Sequence, residues 1–169
     1  MSEPASSGEF LIRPATAVDR TAIWRVIEPA IRAGETYTLP RDLSEDDALS
    51  YWFSPAHEVF VAVIDDAIVG SYYLRPNQGG NGSHVANCGY ITAPWAAGRG
   101  VAHVMCRHSL GRARKRGFFA MQFNIVVSTN ERAVRLWQRM GFEIVGRIPN
   151  AFRHPTAGLV DAFVMYRAL

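Results

Sequence analysis

The sequence predicts a single domain of the α/β (or α+β) class, a mixed sheet with helices on both faces. Three observations predict it. Strand-like and helix-like stretches follow one another in the order β α α β β β α β α β β. Residues 89–117, GYITAPWAAGRGVAHVMCRHSLGRARKRG, read as strand, glycine loop and helix in one unit. Residues 120–128 carry little polarity, as a strand buried on both faces should. The chain of 169 residues is long enough for one domain with a real core. Its 49% apolar and 20% charged residues match a soluble globular protein, and no run is long enough to span a membrane.

Taken in order, residues 1–9 (MSEPASSGE) have neither a basic nor an apolar signal region and are expected to be a flexible tail, leaving 10–169 as the domain. Residues 11–15 form a short strand ended by Pro14. Thr16 or Asp19 can cap a helix over 20–32, in which Ile23, Ile27 and Ile31 share one side. Gly34 ends it, and a polar, aromatic loop follows over 35–40. Ser44 and the acidic residues after it open a helix through Trp52. Residues 58–64 and 67–74 are β-rich and joined by Asp65–Asp66, a hairpin signal. A loop over 77–82 leads to a central strand over 83–92. A helix over 130–140 stops at Gly141. Residues 143–149 and 159–167 make a final antiparallel pair, joined by a loop over 150–158.

The 89–117 unit carries the chemistry. Pro94 stops the sheet ladder, and Gly98–Arg99–Gly100 lets bare backbone approach a ligand. Past Gly100 the apolar residues Val101, Met105, Cys106, Ser109, Leu110 and Ala113 fall on one half of a helix. Its free N-terminal N–H groups suit a phosphate. The alternative is an ordinary strand–helix connection. Cys88 and Cys106 lack metal or redox spacing, so no metal is expected, and they read as small core residues in a reducing, cytoplasmic setting. The formal charge of +3 comes largely from Arg99, Arg107 and residues 112–116. No aromatics are interleaved there and half of the helix is apolar, so a polyphosphate beside Arg99 and a solvated face explain it better than nucleic acid.

Two motifs resemble the GCN5-related N-acetyltransferases (GNAT). Their phosphate loop, Gln/Arg-x-x-Gly-x-Gly/Ala, is matched by Ala97–Gly98–Arg99–Gly100–Val101–Ala102, with Ala97 in the Gln/Arg place. Their Asn-x-x-Ala-x-x-Leu-Tyr-x-x-x-Gly-Phe is matched from Asn130 through Ala133 and Leu136 to Phe142, with Trp137 in the tyrosine place. The resemblance implies a GNAT fold: a mixed sheet of about seven strands, splayed into a V between the parallel strands 83–92 and 120–128. It implies acetyl-CoA in that V, with pantetheine against Ile91, Thr92 and Ala93, and pyrophosphate on the N–H groups of Arg99, Gly100, Val101, Ala102 and His103. Asn130 resembles the asparagine that bonds the pantetheine arm, and Ala133 and Trp137 line the same arm. The matching tyrosine is a proton donor in many members. Indole keeps its proton, so Trp137 reads as packing, and the thiolate leaves unaided or with help from water or another group.

Asn87 and Asn124 sit in the middle of the two splayed strands. Each reads either as an interstrand hydrogen bond or as a group that orients the reacting amine. With the loop Gly34–Glu35–Thr36–Tyr37 and the stretch Phe152–Arg153–His154–Pro155, they resemble the yeast acetyltransferases that detoxify azetidine-2-carboxylate. That likeness implies acetyl transfer by direct attack onto a small amine, an amino or imino acid analogue, with Asn87 and Asn124 at the reacting centre. Backbone N–H at Ile91 or nearby would hold the oxyanion. Glu35 and His84 are candidate bases. Thr36, Tyr37, His154 and Arg153, which could pair with a substrate carboxylate, complete the acceptor side. The alternatives are a non-catalytic acyl-CoA-binding module and a protein or peptide N-acetyltransferase of the same fold. Family members often dimerise, and the last strands are a seam for a homodimer.

Overall fold

The computed structural model describes residues 10–169; the tail expected over 1–9 lies outside them. Among the described residues seven strands make one sheet: β1 (Leu11–Pro14), β2 (Glu58–Ile64), β3 (Ala67–Pro76), β4 (Val85–Thr92), β5 (Ala120–Val127), β6 (Glu143–His154) and β7 (Gly158–Ala168). Their order across the sheet is β1-β2-β3-β4-β5-β7-β6. Only β4 and β5 run parallel; the other neighbours are antiparallel. Four helices cover the faces: α1 (Arg20–Ala33), α2 (Glu45–Trp52), α3 (Val101–Lys115) and α4 (Glu131–Arg139). The mixed sheet with helices on both faces is the one expected.

Local chemistry accounts for the turns. Asp65 and Asp66 adopt positive φ of 48° and 61°, so the two-residue connection is the hairpin turn whose twist matches the strands it joins. Ser44 caps α2 by accepting the Asp47 N–H at 3.1 Å. Ile23, Ile27 and Ile31 are buried at four-residue spacing and fasten α1 to the sheet, each contributing about 1.5–3 kcal/mol. On the same face the Trp52 Nε1–H of α2 donates to Ser71 Oγ of β3 at 2.9 Å. On the opposite face α3 lies so close to β3 that a Cβ at Gly70 would sit 2.8 Å from Val101.

Asp19 is buried and caps differently from expectation. It accepts two hydrogen bonds from the Arg13 guanidinium, both at 2.8 Å, and the Thr16 N–H at 2.7 Å, tying β1 to the short turn that precedes α1. The Arg13 hydrogen bonds, then those from Thr16, hold its carboxyl well below the usual carboxylate range against the opposing effect of burial. A depressed folded value means the contribution is present above the unfolded pKa of about 3.9 and is lost as pH falls through the folded value. Asp19→Asn is therefore expected to cost about 2 kcal/mol in urea unfolding at pH 7, with the gap to wild type closing below about pH 4.

Two expectations need correction. The loop expected over 150–158 is strand as far as His154: β6 passes through Pro149–Asn150 with a register shift between Ile148 and Phe152, Asn150 taking φ of 52°, and resumes with buried Phe152 opposite Val160. Arg153 and His154 are thus in β6, not in a loop. Nor is β5 buried on both faces throughout, because Ile125 is 40% exposed. The cause is the splay. Parallel pairing between β4 and β5 covers Val85↔Ala120 and Ala86↔Met121 and goes no further. Beyond those pairs the strands separate, and β5 bulges against β7 between Phe123 and Val126. At the far edge β6 leaves Ile144, Val145 and Ile148 exposed.

Candidate active site

The separation of β4 from β5 opens a cleft of about 810 Å³. Asn87 stands where the ladder stops and is only 6% exposed. Its Nδ2 donates to the Gln122 carbonyl at 2.9 Å, a side-chain bridge across the gap that backbone pairing leaves. Its Oδ1 accepts from Arg75 Nε at 3.2 Å. Asn124 lines the other wall, on the β5 bulge. It donates to Asn77 Oδ1 at 2.7 Å and accepts from Gln122 Nε2 at 3.0 Å. Both amides are oriented by partners and both face the cleft.

The unpaired edge of β4 supplies backbone donors. Ala93 N–H donates to Val69, and Val85 accepts from Asn77 N–H at the other end, so the odd-numbered residues of β4 exchange their backbone bonds with β3. The even-numbered residues Cys88, Tyr90 and Thr92 therefore turn their N–H and C=O groups toward the opening. Of the expected Ile91, Thr92 and Ala93, Thr92 lines the cleft with its backbone groups turned to the opening, Ala93 lines it with its N–H already spent, and Ile91 does not line it. The outward Tyr90 carbonyl accepts the Tyr37 hydroxyl at 3.0 Å, which pins the loop after α1 onto β4.

At the wide end, Gly98 and Gly100 take φ of 81° and 83°, a turn that side chains resist, and deliver the chain into α3. The first helical bond runs from Val104 N–H to the Gly100 carbonyl. The N–H groups of Val101, Ala102 and His103 are left without intrahelical acceptors, and all three residues line the cleft. Such a terminus carries partial positive charge and fits a phosphate. Arg99 N–H is already given to the Ala96 carbonyl, and its exposed side chain does not line the cleft. On α4, Asn130 caps the helix by accepting Ala133 N–H at 3.3 Å, and Asn130, Ala133 and Trp137 all line the cleft. The Trp137 ring packs 5.1 Å from both Tyr90 and Phe123.

The α1–α2 side of the cleft is aromatic. Thr36, Tyr37, Tyr51 and Tyr73 line it. The Tyr51 and Tyr73 hydroxyls share a hydrogen bond of 3.0 Å, and Tyr73 stacks on His57 at 4.1 Å. Burial pushes the Tyr37 and Tyr73 phenols far above their ordinary value and the Cys88 thiol up to about 12, so all three stay protonated at neutral pH. Among the described residues, no Asp or Glu lines the cleft. Glu35, His84 and Arg153 are exposed and lie off it. His154 lies off it too, its Nδ1 accepting Ala157 N–H at 3.1 Å in the β6–β7 turn. Sequence reasoning missed Tyr51, Tyr73 and Arg75, which converge from distant stretches of chain. For Tyr73 a signal was available: Gly89 lies directly opposite it on β4, and glycine in a strand marks a close approach.

The site fits a ligand with an anionic end and an extended amide arm: helix N–H groups at one end, outward backbone groups along β4, and a compact aromatic chamber at the apex. Comparison with known proteins agrees. The sequence profile described as the acetyltransferase (GNAT) family matches residues 23–142. The N-acetyltransferase aca1 of Schizosaccharomyces pombe is 30% identical over 151 residues, 79% of this chain and 72% of that protein. A GCN5-related N-acetyltransferase from Kribbella flavida superimposes with a TM-score of 0.90 at 40% identity, over 95% of this chain and 98% of that one. A phosphinothricin acetyltransferase from Sinorhizobium meliloti, solved in complex with AcCoA, shares the fold with a TM-score of 0.83 at 19% identity, over 95% of this chain and 88% of that one. With the matched residues running from α1 through α4 and so spanning both walls of the cleft, the chain belongs to the acetyltransferase (GNAT) family and is an N-acetyltransferase.

Proposed function

We propose that the chain acetylates the amine of a small molecule, an amino acid or imino acid analogue, by direct attack on acetyl-CoA. One observation carries this reading: the splay joins a phosphate-fitting helix terminus on the α3 side to a confined aromatic chamber on the α1–α2 side, through an apex lined by Asn87. Acetyl-CoA, when bound, supplies an acetyl thioester, an acyl donor with a good leaving group. Val101, Ala102 and His103 N–H would hold its pyrophosphate, and the outward backbone groups of Thr92 its pantetheine arm, beside Asn130, Ala133 and Trp137. Cys88 and Tyr90 N–H, turned into the opening and fixed in the sheet, are preorganised donors for charge developing on a carbonyl oxygen. Asn87 and Asn124 would orient the amine or a water beside it. An amide does not titrate, so neither residue is a base.

The chamber's protonated phenols and lack of carboxylates support an amine that arrives neutral or yields its proton to water. Tyr37, held to the Tyr90 carbonyl at 3.0 Å on the α1–α2 side of the cleft, supports a small acceptor over a protein segment. Direct attack is supported by Cys88, the cleft's one thiol, whose raised pKa makes it a poor nucleophile. The test is release of free CoA thiol with a panel of amino acids, imino acids and plain amines, alongside a proteome lysate given labelled acetyl-CoA. Small-molecule turnover without labelled protein is expected. Labelled protein alone, or CoA binding without turnover, would overturn the reading.

A further inference from the structure

Among the described residues, one cation of the acceptor chamber has no carboxylate partner. Arg75 lies near the end of β3, directly opposite Asn87, half-buried and lining the cleft. Its Nε–H donates to Asn87 Oδ1, which fixes the plane of the guanidinium. Among the described residues neither of its Nη groups has a hydrogen-bond partner, and no carboxylate lies within ion-pair distance. Other arginines do have carboxylate partners, as Arg13 has Asp19 and Arg112 and Arg116 have Glu58. The other arginines that line the cleft, Arg132 and Arg139, belong to α4 on the opposite face of the sheet.

We propose that Arg75 is the anchor for a carboxylate on the acceptor, so that the acceptor is an amine carrying a carboxylate a few bonds from its nitrogen. This rests on the small-amine reading of the cleft and assigns a recognition element that Arg153, exposed on β6 and not among the lining residues, does not supply. Two free Nη groups in one plane match the two oxygens of a carboxylate. The hydrogen bond to Asn87 ties that anchor to the apex, so a carboxylate held on Arg75 brings its nearby nitrogen to the place where β4 and β5 part. The same positive charge disfavours the protonated form of a neighbouring amine, which matters in a chamber without a carboxylate to take the proton.

The experiment compares kcat/KM for amino and imino acids with that for their amides and decarboxylated amines, in wild type, Arg75→Gln and Arg75→Lys. Wild type is expected to favour the acid by about 100-fold, as loss of a bidentate charged contact implies. Arg75→Gln should bring that preference close to one, mainly by raising KM for the acid, with KM for acetyl-CoA unchanged. Arg75→Lys should keep part of the preference. A wild type that takes amides as readily as acids would overturn the proposal. So would Arg75→Gln slowing acid and amide equally, since Arg75 would then act only by holding Asn87. Should no amine in the panel be acetylated, the small-amine reading fails separately, and calorimetry still decides on Arg75. Cyclopentanecarboxylate should bind the CoA-loaded wild type at least tenfold tighter than cyclopentanecarboxamide does, and Arg75→Gln should abolish the difference. Equal binding of acid and amide by wild type would count against the anchor.

Discussion

Asn87→Ala should lower kcat/KM for the acceptor by about 100- to 1,000-fold, chiefly through kcat. The parallel ladder between β4 and β5 ends at Ala86↔Met121, and the next link across the sheet is the Asn87 side chain on the Gln122 carbonyl. Truncation leaves that carbonyl and the Arg75 Nε–H without their partners in a half-buried site, at a cost of about 1–3 kcal/mol in stability. It also frees the apex where amine and acyl carbonyl must meet, and a misplacement on the order of 1 Å there costs about 100-fold. Asn87→Asp separates the two contacts. The aspartate keeps an acceptor for Arg75 but turns an oxygen toward the Gln122 oxygen, where Asn87 has a donor. If the bridge matters most, Asp should be as damaging as Ala; if the hold on Arg75 matters most, Asp should retain most activity. Steady-state kinetics with thermal melts of both variants makes the distinction. Activity within threefold of wild type in Asn87→Ala would remove Asn87 from the reacting centre.

Gly89→Ala should lower kcat/KM for the acceptor by about 10- to 100-fold and cost about 1–3 kcal/mol, as overpacking of a filled core does. A Cβ at Gly89 would lie 2.6 Å from the Tyr73 ring. The ring has little room to retreat: it is stacked on His57 at 4.1 Å and meets Trp52 edge-on at 5.0 Å. Its displacement breaks the hydroxyl pair with Tyr51 and reshapes the acceptor chamber, while the α3 terminus is untouched. Affinity for CoA by calorimetry should therefore stay within about twofold as acceptor kinetics collapse. Equal losses in both would show that Gly89 supports the whole cleft rather than the chamber.

What was legible in the sequence was what short-range chemistry decides. Asp65–Asp66 announced its hairpin, Ser44 its cap, and Gly98–Arg99–Gly100 the entry to α3. The isoleucines of α1 announced their buried face. What escaped depends on partners far along the chain. β3 runs two residues past its expected end because Arg75 and Pro76 pair with Asn87 and Ala86, and that extension is what places Arg75 in the chamber. Which backbone groups of β4 face the opening is a matter of parity. Only the bonds of β3 at Val69 and Asn77 decide it, which is why Tyr90 joins Thr92 in facing the opening and Ile91 does not. Pro149–Asn150 carries the chemistry of a turn, yet pairing with β7 overrides it and draws Arg153 and His154 into β6. Glu35 and His84 lie near lining residues in sequence, but their side chains point to solvent; adjacency in sequence did not report orientation.

Direct transfer of acetyl from acetyl-CoA to a small amine at the apex of the splay can be watched by following [1-13C]acetyl-CoA by carbon NMR with the purified chain and a reactive acceptor. The carbonyl signal is expected to pass from thioester to the amide of a free small molecule, one amide for each CoA released, with no label retained on the protein. Label on the protein, at Cys88 or elsewhere, or a thioester signal that persists with every amine offered, would contradict it.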